Sequence, residues 1–284
     1  MSINFSSTLL EYFISKGIDV NAKESKFQRT ALQIAASVGN TTAVKLLISH
    51  GANINSTDID GKTVLHYAAS CYDKEMIEFL ITHGANINSK TNLGYTPLHD
   101  AAEENNYELA KLLILHGTDI NSKDNNGVTP LMKAAIYGCV EIAKLLLSHG
   151  ALVNEKDNEG RTALFWTPAN NSIDIAKLLI LNGAFVNIRT NKEHTPLLFA
   201  LVKNCFEIAE LLLSNGAYIN DKEMNGFNSL HLAVNLNDID KAKFLIKHHI
   251  NINAKNNYGH SALYYAYLQK SEEMISFLEL NGAT

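Results

Sequence analysis

Eight leucines recur at a fixed interval of 33 residues: Leu32, Leu65, Leu98, Leu131, Leu164, Leu197, Leu230 and Leu263. A period this long, kept without a slip, is the mark of a chain built from copies of one supersecondary unit. A hydroxyl or amide residue stands two places before each leucine: Thr30, Thr63, Thr96, Thr129, Thr162, Thr195, Asn228 and Ser261. A second leucine column runs from Leu47 to Leu278, and glycines close most repeats, from Gly51 to Gly216 and again at Gly282. An asparagine follows at a constant offset, from Asn55 to Asn253. No single repeat can bury its apolar face, so neighbours must stack into a continuous core.

Thr96 to Gly117 shows how one repeat reads. Thr96 suits a helix N-cap and Pro97 the first helical position, where no N–H is needed. Leu98, Ala101 and Ala102 fall on one narrow face. Asn105 tolerates the left-handed conformation that ends the helix. Glu108 opens a second helix with Leu109, Leu112 and Leu113 inside, and Gly117 stops it. Acids begin most second helices, where they complement the helix dipole. Four have a lysine three residues on (Glu108–Lys111, Glu141–Lys144, Asp174–Lys177, Asp240–Lys243), which predicts a solvated, ion-paired outer face. Between repeats, DIDGKT (58–63), DNNGVT (124–129) and DNEGRT (157–162) read as tight turns.

The strings TPLHDAA (96–102), TVLHYAA (63–69), LLISHGANIN (46–55) and FLITHGANIN (79–88) resemble ankyrin repeats. The resemblance covers residues 8–284. It implies an all-α ankyrin-repeat solenoid of eight 33-residue helix-turn-helix units plus an N-terminal half unit at 8–17, with units starting near 26, 59, 92, 125, 158, 191, 224 and 257. Residues 1–284 are then expected to form a single elongated domain with first helices and hairpin tips along a concave groove. The resemblance also implies protein binding without catalysis, and that His66, His99 and His231 tie neighbouring loops together. Asparagines of such repeats can be hydroxylated.

Departures from the pattern carry their own expectations. The chain starts halfway through a repeat, with one extra residue in the following loop, which points to a piece of a longer protein. Thr167-Pro168 replaces the usual alanine pair, and an internal proline predicts a short or kinked first helix near Trp166. Lys241 stands where neighbours carry Leu109, Ile142 or Ile175, and is expected to turn its charge outward. With His249-Ile250 in place of Gly-Ala, that repeat is expected to be the least stable interior one.

Chemistry is hard to find. His50, His83, His116 and His149 share one column, but stacked elements lie ~8–10 Å apart, too far for two ligands on one zinc at ~2 Å. A favourable charge at helix C-termini is the better account. Cys71, Cys139 and Cys205 are too sparse for a disulfide scaffold, and no nucleotide-binding, zinc-protease or serine-hydrolase string occurs. No enzyme, cofactor or metal site is expected. A net charge of −5 gives no pull toward nucleic acid. No apolar run is long enough to span a membrane and the amino terminus lacks the features of a signal peptide. A monomer in a reducing, intracellular setting, cytoplasmic by expectation, follows.

What remains is recognition of an unidentified protein. Residues beside the finger turns, and helix residues off the core pattern, should line the groove: Leu93, Tyr95, Glu103, Glu104, Val128, Ile136, Tyr137, Trp166, Phe227 and Tyr258. Phe199, Leu232 and Tyr265 continue the column of Trp166, with Met224 and Leu236 nearby. Leu152, Phe185 and Tyr218 form a separate loop column. The expected function is a scaffold or adaptor that binds a protein through this groove. The alternative is a regulatory or inhibitory segment of a larger protein that controls a partner enzyme.

Overall fold

A computed structural model describes residues 7–284. The first six residues, on which the reading of the amino terminus rests, lie outside it. The chain divides into two compact lobes, Met1–Leu152 and Val153–Thr284. The N-terminal lobe holds α1 (Ser7–Ser15), α2 (Ala31–Ser37), α3 (Thr41–Ser49), α4 (Val64–Ala68), α5 (Lys74–Thr82), α6 (Pro97–Glu103), α7 (Tyr107–Leu115), α8 (Pro130–Tyr137) and α9 (Val140–Ser148). The C-terminal lobe holds α10 (Ala163–Trp166), a 3-10 turn (Thr167–Asn170), α11 (Ile173–Leu181), α12 (Pro196–Val202), α13 (Phe206–Ser214), α14 (Ser229–Asn235), α15 (Ile239–Lys247), α16 (Ala262–Gln269) and α17 (Glu272–Leu280). The described residues contain no strand beyond two isolated bridges. The arrangement is an all-α repeat solenoid.

Both leucine columns and the alanines between them form the core, as the pattern requires. Helix ends explain the rest of the repeat. Second helices are capped by a short polar residue: Asn40, Asp73 and Asn106 accept from the N–H groups of Ala43, Met76 and Leu109. At the other end, Nδ1–H of His50, His83, His116 and His149 donates to the carbonyl four residues back, at 2.8–2.9 Å. Asn182, Asn215 and Asn281 hold the same position and donate in the same way at 2.8 Å. The histidine column therefore satisfies orphan carbonyls, and its interchange with asparagine shows that hydrogen-bond donation is what the position needs.

Neighbouring repeats are tied by bonds that reach one module along. Thr96 N–H and hydroxyl donate to His99 Nδ1, which leaves the proton on Nε2, and Nε2 donates to the Val128 carbonyl at 3.0 Å. His66 reaches the Tyr95 carbonyl and His231 the His260 carbonyl in the same way, both at 3.1 Å. In α2 a glutamine does this work: Gln33 Oε1 accepts from Thr30 N–H, and Nε2 donates to the carbonyls of Ser56 and Lys62. Burial lowers the His66 and His99 imidazoles to about 4 despite those acceptors. The asparagine column repeats the device on the loops: Asn55 bonds Gly84 and Asn86, and Asn187 bonds Gly216 and Tyr218.

Hairpin tips stack just as closely. Asp58 Oδ1 accepts from the N–H groups of Asp60 and Lys62 and fixes the turn. Gly94 sits at φ +81°, and a Cβ there would fall 2.8 Å from the Asn125 amide nitrogen. Glycine is required by conformation and by the neighbouring hairpin at once.

The proline expectation holds. The helix that begins at Ala163 lasts only to Trp166 and gives way to the 3-10 turn, because Pro168 has no N–H to continue it. The outer ion pairs hold for Glu141–Lys144 (2.8 Å) and Asp240–Lys243 (3.3 Å), whereas Glu108 lies 3.9 Å from Lys74 of the preceding repeat.

Lys241 corrects its expectation. It is 1% exposed rather than turned outward. Its ammonium bonds Asp238 Oδ2 and Asn204 Oδ1, each at 2.7 Å. Two oxygens already stand inside: the N-cap aspartate of its own helix and the left-handed asparagine that ends α12. With acceptors in place, inward burial satisfies the ammonium without the stem reaching solvent.

Candidate functional site

In the N-terminal lobe, side chains from successive first helices and hairpins meet over one face. Lys133 of α8 is almost fully buried and lies at the centre. Its ammonium donates to Glu103 Oε2 at 2.7 Å and to the Tyr95 hydroxyl at 3.1 Å. It also sits 4.2 Å from the Tyr95 ring centroid and 5.6 Å from that of Tyr137. The Tyr137 hydroxyl donates to Glu103 Oε1 at 2.7 Å. Burial works against both charges. The Lys133 and Tyr137 bonds nonetheless hold the Glu103 carboxyl below its usual range, and Glu103 and Tyr95 hold the Lys133 ammonium above its own. Three predicted groove residues are thus joined by one cation that the sequence reading passed over.

Asp100, one turn from Glu103, is a second missed residue. Burial pushes its carboxyl up to about 7, and its Oδ2 is closed to solvent with no hydrogen-bond partner. It occupies the column of Tyr67 and Lys133, so its place on this face was legible from the period alone.

The other expected residues divide. Leu93 and Glu104 are exposed, and Ile136 is half-buried. Val128 is 8% exposed, because its N–H is held by Asp124 and its carbonyl by His99. It presents little surface, which corrects its place among the contact residues.

The C-terminal lobe carries an aromatic cluster of its own. Phe165 and Phe199 stack at 4.8 Å, and Trp166 meets Phe199 edge-on at 6.1 Å under the Arg161 guanidinium. Phe227 lies 5.4 Å from Tyr265, both half-buried, and Tyr258 and Met224 are exposed. A cavity of about 250 Å³ opens here between α12 and α14, lined by Phe165, Leu198, Phe199, Val202, Phe227 and Leu232, with His194, Glu223, Asn228 and Asn235 completing it. Of this lining the sequence reading named Phe199, Phe227 and Leu232 but not Val202. The Phe185 and Tyr218 loop column is exposed, with each N–H held by an asparagine of the preceding loop.

Among the described residues no three His, Cys, Asp or Glu side chains converge as metal ligands. Cys139 and Cys205 are buried free thiols that burial pushes up, away from nucleophilic use. No helix among the described residues is long and apolar enough to cross a membrane.

Helix pairs, hairpin tips and one-module hydrogen bonds define a helical repeat protein. A family description for ankyrin repeats in sets of three matches residues 1–91, 51–124, 74–157, 98–190, 152–223 and 219–283. The chain belongs to the ankyrin repeat family. A stretch of 56 residues is 45% identical to the ankyrin repeat protein FPV244 of Fowlpox virus (strain NVSL); it spans 20% of this chain and 8% of that protein. Ankyrin repeats are in general protein–protein interaction modules.

Proposed function

We propose that this chain is a non-catalytic scaffold or adaptor that recognises a protein partner through the face built by its first helices and hairpin tips. One observation carries the reading. Aromatic side chains stand partly exposed on that face yet are already fixed in place, with Tyr95 and Tyr137 clasped by Lys133 and Glu103. Ordering side chains on association costs ~0.5–1.5 kcal/mol each, and a preset aromatic avoids much of it. Tyrosine and tryptophan are also the residue types that dominate binding energy. Leu93, Glu104, Ile136, Trp166, Phe227 and Tyr258 complete the proposed contact set. The unbroken 33-residue register supports eight repeats. The three free cysteines support a reducing, intracellular setting. Association as a monomer with a protein, and not with nucleic acid, accords with the net charge of −5.

Affinity capture with the whole chain tests the reading. A recovered protein should bind the double variant Leu93→Ala/Tyr137→Ala about tenfold or more weakly, with unchanged circular dichroism. Binding that survives every substitution on this face, but is lost on Phe185→Ala/Tyr218→Ala, overturns it.

A further inference from the structure

The cavity of the C-terminal lobe has a composition that defines its occupant. Six apolar side chains line it, and its volume of about 250 Å³ falls below the roughly 300–1,000 Å³ of small-molecule sites. That is room for one large side chain rather than for a cofactor. Val202 at its edge is 45% exposed, so the opening faces solvent.

Asn228 supplies the second observation. Six of the other repeats carry threonine at this position and one carries serine. The asparagine still caps α14, with Oδ1 accepting from the N–H groups of Leu230 and His231 at 3.2 Å. The same end of the amide lies 2.6 Å from His231 Nδ1. An amide brings both a donor and an acceptor where threonine offers one hydroxyl, on a residue only 3% exposed that lines the cavity.

Charge at the rim is the third. Lys203 follows Val202 in sequence, is exposed, and forms no ion pair among the described residues. Its ammonium stands 5.6 Å from the Phe199 ring centroid. Elsewhere on the rim, His194 lies 3.6 Å from Glu223, and Arg161 on the same face is paired with Asp157 and Glu159. The rim thus offers one cation without a counter-ion beside an apolar well.

We propose that this cavity receives a leucine, phenylalanine or tryptophan side chain of an extended protein segment, with an adjacent aspartate or glutamate paired to Lys203. The proposal rests on the interaction reading above and narrows it to an acidic-apolar motif.

Selection of random dodecapeptides displayed on phage against the immobilised whole chain tests it, with synthetic copies of the winners titrated by fluorescence polarisation. The winners should share a large apolar residue beside an acid. Val202→Glu should weaken them about tenfold or more. Lys203→Glu should weaken them severalfold, with recovery when the peptide acid is changed to lysine. Winners without the acidic-apolar pair, winners indifferent to Val202→Glu, indole binding in the cavity where peptides fail, or no enrichment over bare support each overturn the proposal. Peptides lost on Tyr137→Ala but kept on Val202→Glu overturn it while leaving the broader interaction reading intact.

Discussion

Glu103 Oε2 lies 2.7 Å from the Lys133 ammonium, a pair formed between α6 and α8 with the lysine side chain 8% exposed. The carboxylate is what makes the buried cation tolerable, since a buried charge without its partner is strongly destabilising. Glu103→Gln should therefore lower stability by about 1–3 kcal/mol, discounted from a fully buried pair because Glu103 keeps contact with water. Lys133→Met, which removes the charge as well, should cost less than Glu103→Gln. Urea unfolding of both variants checks the order; equal losses would mean that the pair matters only as packing.

Acid should unfold this protein through its loop-tying histidines. The imidazoles of His66 and His99 sit at about 4 in the fold, against about 6.5 free. The unfolded chain therefore binds more protons between those values, and stability present above pH ~6.5 is lost as pH falls toward 4. His99→Gln should keep the fold, since Gln33 makes the same bonds in α2, and should flatten the decline. Urea midpoints from pH 7.5 to 4.5 give the comparison.

Asp100 has the opposite sign. Its carboxyl is raised to about 7, so the fold favours the protonated form and loses stability as pH climbs from about 4 through 7. Asp100→Asn should raise Tm at pH 8 and change it little at pH 5. A variant less stable at pH 8 than the parent would show that the buried carboxylate has a partner after all.

Lys241 offers a test of burial without exposure. Replacing a buried, bonded ion by an apolar side chain of similar volume is often neutral or favourable by ~1–4 kcal/mol. Lys241→Leu restores the residue type of the column and should hold or raise Tm, whereas Asp238→Ala, which strands the ammonium and removes a helix cap, should lower it sharply. Thermal melts of the two variants should move apart.

Much of the fold was written in the period. The helix pairs, the short helix before Pro168 and the stacking of hairpins all follow from residues that act locally or at one fixed offset. The misreadings are of a different kind. Lys241 looked like an exposed charge because its two acceptors come from separate places, Asp238 beside it and Asn204 one module back. Val128 looked like surface because its column is polar or aromatic in most repeats, while the side chain here is small enough to be covered. Lys133 was overlooked because a lysine on a helix reads as solvated, and only the convergence of Glu103, Tyr95 and Tyr137 makes it a centre. Asn228 stands in the column that caps first helices and does cap α14. That its amide also lines a cavity depends on the packing of α14, which no column of letters records.

The ties described here, from His99 to Val128 or Asn187 to Gly216, span 29 residues, and Asn191 to Asn158 spans 33. None of them fastens a module to a distant one. Cutting out a whole cassette and splicing its flanks would thus bring together two faces that already carry matching donors and acceptors. Length in such a chain can change by whole steps while its chemistry of cohesion stays the same.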